Sequence, residues 1–227
     1  MITFEDIKNN ETIKTYITKA DESLIALGYT EHSFAHVSRV AKTASYILET
    51  MGYSKRDCEL AQIAGYLHDI GNIVNRTDHA QSGAIIAFRL LDHMGMDAAE
   101  AATIVTAIGN HDEGTAEAVN PIAAALILGD KTDVRRSRVR NQDKTTFDIH
   151  DRVNYSVKKS EVKINKEKSR IKLKLSIDTR YGSIMDYFEI FMDRMILCRK
   201  AAASLGLGFR LITVSYTHLT LPTILRV

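Results

Sequence analysis

Residues 65–72 read GYLHDIGN, and the stretch sets His68 beside Asp69 inside an otherwise apolar run. Two ionisable neighbours bound for a protein core are costly unless partners satisfy them. A metal ion is one such partner, and a hydrogen-bonded polar network is the other. The chain supplies further imidazoles and carboxylates in order: His36 on a preceding helix, His79 near a helix start, His111 at a helix end in IGNHDEG, and Asp130 on a later helix. These side chains suit Mn, Fe, Zn and similar ions, and the carboxylates also serve harder cations. Adjacent helical residues point about 100° apart. His68 and Asp69 therefore reach one centre only if it lies against the helix flank with neighbours wrapped around it, as in a helical bundle. Asp112 follows His111 as a second His-Asp pair, suited to relay a proton or to cap the loop at the helix end. His32, one turn before His36, reads either as a residue supporting the ligands or as an N-terminal surface residue, the second being favoured; His93 and His150 have no supporting context.

The elements that must carry these residues are legible from punctuation. Ile13, Ile17, Ala20, Leu24 and Leu27 recur at helical spacing before Gly28. A second helix runs through SFAHVSRVAKTASYILETMG, and Ser54 caps a third that carries His68, with Asp57 in its first turn. Asp78 caps HAQSGAIIAFRLLDHMG, Asp97 with Glu100 resembles a capping box, and Asn120-Pro121 opens the next helix. After about residue 144 the character changes. Val153, Tyr155 and Val157, then Ile171, Leu173, Leu175 and Ile177, alternate with polar residues on either side of the turn NKEK, predicting a β-hairpin with one buried face. A long helix carries Ile184, Phe188, Phe191, Met195, Cys198, Ala202 and Leu205 on one stripe up to Gly206, and FRLITV is a further strand. The fold class is thus mainly α, with a helical bundle over residues 1–143 and a small α+β domain over residues 144–213. Residues 214–227, with SYTHLTLPTILRV, lack a clean period and resemble translated vector read-through, so they are read as a non-native or disordered tail and His218 receives no role.

Apolar residues at 45% and charged ones at 26% fit a globular chain rather than a disordered one. No run is long and apolar enough to cross a bilayer, and MITFEDIKNN has no secretory pattern, so no membrane partner is expected. Cys58 and Cys198 make no metal-type pair and read as reduced thiols of a cytoplasmic protein. A formal net charge of +2 does not demand nucleic acid. The hairpin lysines read as a solvated face that discourages edge pairing, with a phosphate or nucleic-acid contact the weaker alternative.

Taken together, HVSRVA around His36, AGYLHDIGN around His68-Asp69 and ALILGDKTDVRRSRV around Asp130 resemble the HD-domain metal-dependent phosphohydrolases over about residues 32–140. The resemblance implies that His36, His68, Asp69 and Asp130 hold one metal. Asp69 would bridge to a second, completed by His79 and His111 as in dinuclear members. It implies divalent cofactors, two in number, drawn from Fe, Mn, Mg or Zn, which activate water and neutralise phosphoryl oxygens. The expected activity is hydrolysis of a nucleotide or related phosphate ester or anhydride. The alternative, from another class, is a regulatory nucleotide- or RNA-binding module on the same fold. Catalytic roles are expected for Asp69, Lys131 and Asp112. Phosphate contacts are expected from Arg39, Lys131, Arg135 and Arg138, the last three placed on one face by a helix continuing past Asp130. The competing reading has that charged helix end docking on the small domain through Asp133. Asn72 and Thr132 are expected to orient ligands. The implied partner is a small phosphorylated substrate, and association with a second copy is compatible with the small domain.

Overall fold

A computed structural model describes residues 1–216. The bundle is built from α1 (Phe4–Asn9), α2 (Glu11–Ala26), α3 (Phe34–Met51), α4 (Lys55–Leu67), α5 (His79–His93), α6 (Ala98–Gly109) and α7 (Pro121–Lys131). Capping follows the sequence: Ser33, Ser54 and Asn120 each accept a backbone N–H from the first turn of their helix, and Gly52 closes α3 in the left-handed region at φ 91°. Two starts differ from the expectation. Asp78 precedes α5 in the left-handed region at φ 55°, and its side chain caps nothing. Asp97 does cap α6, but Glu100 does not reach back; it binds the Arg56 guanidinium instead, at 2.7 Å from Nε.

α7 is apolar on every side and sits at the centre, buried from Ile122 to Gly129. Small residues set how closely its neighbours approach. A Cβ on Gly129 would meet the Val40 carbonyl oxygen at 3.0 Å, and one on Gly65 would meet the Ala41 backbone at 2.8 Å. α3, α4 and α7 therefore cross with backbones nearly touching, and the start of α3 and the ends of α4 and α7 meet at one point. After α4 a short 3-10 turn, Ile70–Ile73, packs directly on the start of α5. A Cβ on Gly71 would overlap the His79 carbonyl oxygen and the Gly83 nitrogen.

The remainder comprises α8 (Ile149–Ser156), β1 (Val157–Ile164), β2 (Arg170–Asp178), α9 (Ile184–Ser204) and β3 (Gly208–Tyr216). β1 and β2 form the antiparallel hairpin, turning over Asn165–Lys168, and β3 returns parallel to β2 through α9, giving the order β1-β2-β3. Val153 and Tyr155 belong to a helix, not to the first hairpin strand as their alternation predicts. Asp148 caps that helix, accepting from Asp151 N at 2.7 Å, and Ile149 and Val153 lie one turn apart on it. Ile171, Leu173, Leu175 and Ile177 are fully buried and share one apolar core with Tyr187, Phe191 and Cys198 of α9 and with the central α7. Leu27 does not join its predicted stripe; it lies just past α2 and is 63% exposed. Val214 to Tyr216 continue the last strand, while residues 217–227, with His218 and most of the predicted tail, lie outside the described residues. Among the described residues no helix is long and apolar enough to cross a membrane.

The Gly71 contact yields a stability prediction. Gly71→Ala should cost about 2–3 kcal/mol in urea unfolding, in line with overpacking of a tight core site; a variant of unchanged midpoint would show that the turn yields freely.

Candidate metal centre

Four imidazoles arrive from four elements, and each is fixed in the same manner. His36, in the first turn of α3, donates from Nδ1 to Asp133 Oδ2 at 2.8 Å. His68, capping α4, donates to the Gly65 carbonyl at 2.9 Å. His79, opening α5, donates to the Arg76 carbonyl at 3.1 Å, and His111, just past α6, to the Ile108 carbonyl at 2.6 Å. Carbonyl and carboxylate oxygens only accept, so Nδ1 carries the proton in every ring and Nε2 faces the centre.

Those Nε2 atoms converge on two carboxylates. His36 Nε2 lies 3.5 Å from Asp69 Oδ2 and 3.4 Å from Asp130 Oδ1, and His68 Nε2 lies 3.2 and 3.7 Å from the same two atoms. The other oxygen of Asp69, Oδ1, lies 3.5 Å from His79 Nε2 and 3.1 Å from Asn72 Nδ2. Asp69 thus presents one oxygen to the His36–His68 side and the other to the His79 side. The His111 ring stands edge-on to those of His68 and His79, with centroids 5.0 and 5.1 Å away. Two trios bring their ligand atoms within 4.8 Å of one another: His36, His68 and Asp130, and His68, Asp69 and His111.

The donor set fits a divalent cation. Nε2 of His36, His68 and His111 and Oδ2 of Asp69 are buried with no hydrogen-bond partner among the described residues. An orphaned buried polar atom costs about 1–3 kcal/mol, and these four belong to the two adjoining trios, offering the nitrogen and oxygen ligands that first-row ions prefer. The charge balance has the same sense. Burial disfavours the ionised forms of Asp69 and Asp130, yet the charges of His68 on the first and Lys131 on the second hold both well below the usual carboxylate range. Burial also disfavours a charged His68, but Asp69 outweighs it and lifts the imidazole to about 10. A proton on His68 stands where a cation would otherwise balance two buried carboxylates. Burial, with the charges of His68 and Lys131, pushes His111 down to about 3.

Beside the centre lies a cavity of about 270 Å³, which Asp69, His79, Asp130 and Lys131 reach. Lys131 Nζ sits 2.8 Å from Asp130 Oδ2 and 3.0 Å from Glu113 Oε2. Arg138 also lines the cavity, held by its Nε on the Glu31 carbonyl and a terminal nitrogen on the Asp133 carbonyl, both at 2.9 Å. Asp112 does not line the cavity, but its Oδ1 lies 3.8 Å from both His79 Nε2 and Lys131 Nζ. Arg39 and Arg135 lie apart from the cavity. α7 stops at Lys131, so the expected helical face through Arg135 does not form. Arg39 Nε binds Asp133 Oδ1 at 2.9 Å and its terminal nitrogen binds the Ser160 carbonyl at 2.8 Å, while Arg135 pairs with Asp133 and Glu31, both at 3.0 Å. Thr132 turns its hydroxyl back to the Leu128 carbonyl at 2.5 Å rather than to a ligand.

Several contributors escape the sequence. Asp133, buried between His36, Arg39 and Arg135, orients the His36 ring; it lies three residues past Asp130, the one signal that was available. Arg76 and Arg194 line the cavity, the second from α9, far along the chain. His32 is no surface residue: it is half-buried against His36, with centroids 5.4 Å apart, and lines the cavity. His150, exposed at the start of α8, lines the mouth, and His93, the last residue of α5, does not line the cavity. Asp133→Ala should lower metal affinity about 10- to 100-fold by freeing the His36 ring, read by titration of the metal-free protein; unchanged affinity would remove Asp133 from the centre.

A family model for the HD domain matches residues 33–167, more than half of the chain and all the residues that converge on the centre. An uncharacterized protein, MJ1020, of Methanocaldococcus jannaschii is 26% identical over 189 residues, 73% of this chain and 72% of its own length. A crystal structure of a predicted HD superfamily hydrolase from an uncultured Thermotogales bacterium aligns with 25% identity over 60% of this chain and 75% of that one, at a TM-score of 0.42. The chain belongs to the HD domain family.

Proposed function

We infer that this chain is a metal-dependent phosphohydrolase acting on a small phosphorylated molecule of the nucleotide class. The observation that carries the reading is the convergence of four inward Nε2 atoms on Asp69 and Asp130, with Asp69 offering one oxygen to each side. Divalent cations held there, two of them from among Fe, Mn, Mg and Zn, supply the field that acidifies water and neutralises phosphoryl oxygens.

The side chains around the cavity divide the remaining work. Arg76, Arg138 and Arg194 give the wall beside the centre a positive surface suited to a phosphate. Lys131, balanced by Asp130 and Glu113, is held in place beside that wall rather than free to swing. Leu27 and Tyr29 at the mouth and Phe191 with Arg194 over its ring supply apolar and stacking surface for an organic group. Asp112, partly exposed and 3.8 Å from both His79 Nε2 and Lys131 Nζ, is placed to pass a proton between solvent and a leaving oxygen. Buried, free Cys58 and Cys198 suit a reducing compartment, and we assign the protein to the cytoplasm.

A phosphate-release screen across nucleotides, with purified protein stripped of metal and reloaded, tests the reading. Asp69→Ala should lose bound metal and at least about a hundredfold in phosphate release together, while its circular dichroism stays that of the parent. Full metal content in that variant would contradict the bridging role, and no phosphate release from any loaded form would contradict the activity.

A further inference from the structure

Charge is unevenly placed along this chain. Residues 157–178 hold eight Lys and Arg against three Asp and Glu, while the whole chain nets +2, so the remainder is net acidic. The strand register decides where that charge goes. Ile171, Leu173, Leu175 and Ile177 point into the core, which turns Arg170, Lys172 and Lys174 of the same strand to the opposite face. In the antiparallel pair Lys163 stands across from Lys172, and Glu161 across from Lys174. In the parallel pair Arg210 stands beside Lys172 on its other side. Lys163, Lys172 and Arg210 thus make one row of cations spanning all three strands, about 4.8 Å from strand to strand. Lys159, Lys163, Arg170, Lys174 and Arg210 are exposed and Lys172 half-buried. Glu161, the carboxylate among these rows, is taken by Lys159 at 2.9 Å. Lys42 on α3 shares a groove with Lys163 and extends the positive surface beyond the sheet.

Protection of sheet edges accounts for part of this pattern and fails for the rest. Lysines deter edge-to-edge pairing, and Lys159, Lys163 and Arg210 do stand on the edge strands β1 and β3. β2 is the central strand, already paired on both sides, so Lys172 and Lys174 guard no edge. Like charges set directly opposite one another are destabilising, and this cost is relieved by a partner that brings a row of negative charges. Apolar side chains are sparse among these rows: Ile212 and Val214, both half-buried, offer little to insert into a lipid surface. The rows through Arg170, Lys172, Lys174 and Ser176, which make the basic face, hold no aromatic ring on which an unpaired base would stack.

We propose that this sheet face binds duplex nucleic acid along its phosphate backbone, without reading sequence. None of these residues lines the cavity beside the metal centre, so the proposal stands independently of the catalytic reading.

Fluorescence anisotropy of a short labelled DNA duplex of mixed sequence, titrated with the full chain over a salt series, tests it. Six cations on phosphates predict a log–log salt slope of roughly −5. The double variant Lys172→Glu/Lys174→Glu should weaken binding at least tenfold and flatten the slope by about two. If that variant lacks the parent's circular dichroism, Lys172→Gln/Lys174→Gln should shift affinity and slope in the same direction. A slope near zero, affinity unchanged in folded variants, or capture by anionic phospholipid vesicles with no binding to the duplex would each overturn the proposal. Tighter binding to a single strand of equal length would also overturn it.

Discussion

Each imidazole at the centre of this protein is anchored through Nδ1, and the rest of the site depends on that constraint. A histidine is a useful ligand only if one nitrogen keeps its lone pair and the ring cannot turn away. Three of the anchors are backbone carbonyls of the same helix end or turn, namely those of Gly65, Arg76 and Ile108, so they cost the protein no additional side chain. The fourth is different. His36 sits at a helix start, where carbonyls point away, and a carboxylate must serve instead. Asp133 supplies it and is itself held by Arg39 and Arg135. Arginines that read as phosphate ligands are thereby engaged one layer behind the metal centre.

Close backbone packing sets the distances. Gly65 against Ala41, Gly129 against Val40 and Gly71 against the start of α5 leave no room for a side chain. They bring α3, α4, α5 and α7 together at the one place where their polar ends meet. The polar cluster gains low-dielectric surroundings from this closeness, which strengthens every charge within it. The same closeness leaves four ligand atoms without a hydrogen-bond partner among the described residues, an arrangement that an apolar core would not retain without a compensating ion.

Much of this was legible in the chain itself. Helix starts announced by Ser54 and Asn120 fall where their caps require, because capping is a local interaction. The six imidazole and carboxylate residues that the resemblance to HD-domain phosphohydrolases implies as ligands do lie in one place. What escaped the sequence was set by tertiary contacts. Alternation at Val153 and Tyr155 imitates a strand, but the Asp148 cap and burial of one helical face prevail. The helix through Arg135 fails because the chain must turn after Lys131 to bring Asp133 beneath His36. Arg194 had no local signal at all; only the return of α9 across the bundle places it at the cavity.

A centre of this kind requires that Nε2, not Nδ1, of each imidazole face the metal. Nitrogen-resolved NMR of the histidine side chains, recorded as zinc is added to metal-free protein, reads this without reference to any substrate. His36, His68, His79 and His111 should each shift at Nε2 while Nδ1 keeps its proton. Coordination through Nδ1, or rings of His36 and His68 that do not respond to zinc, would contradict it.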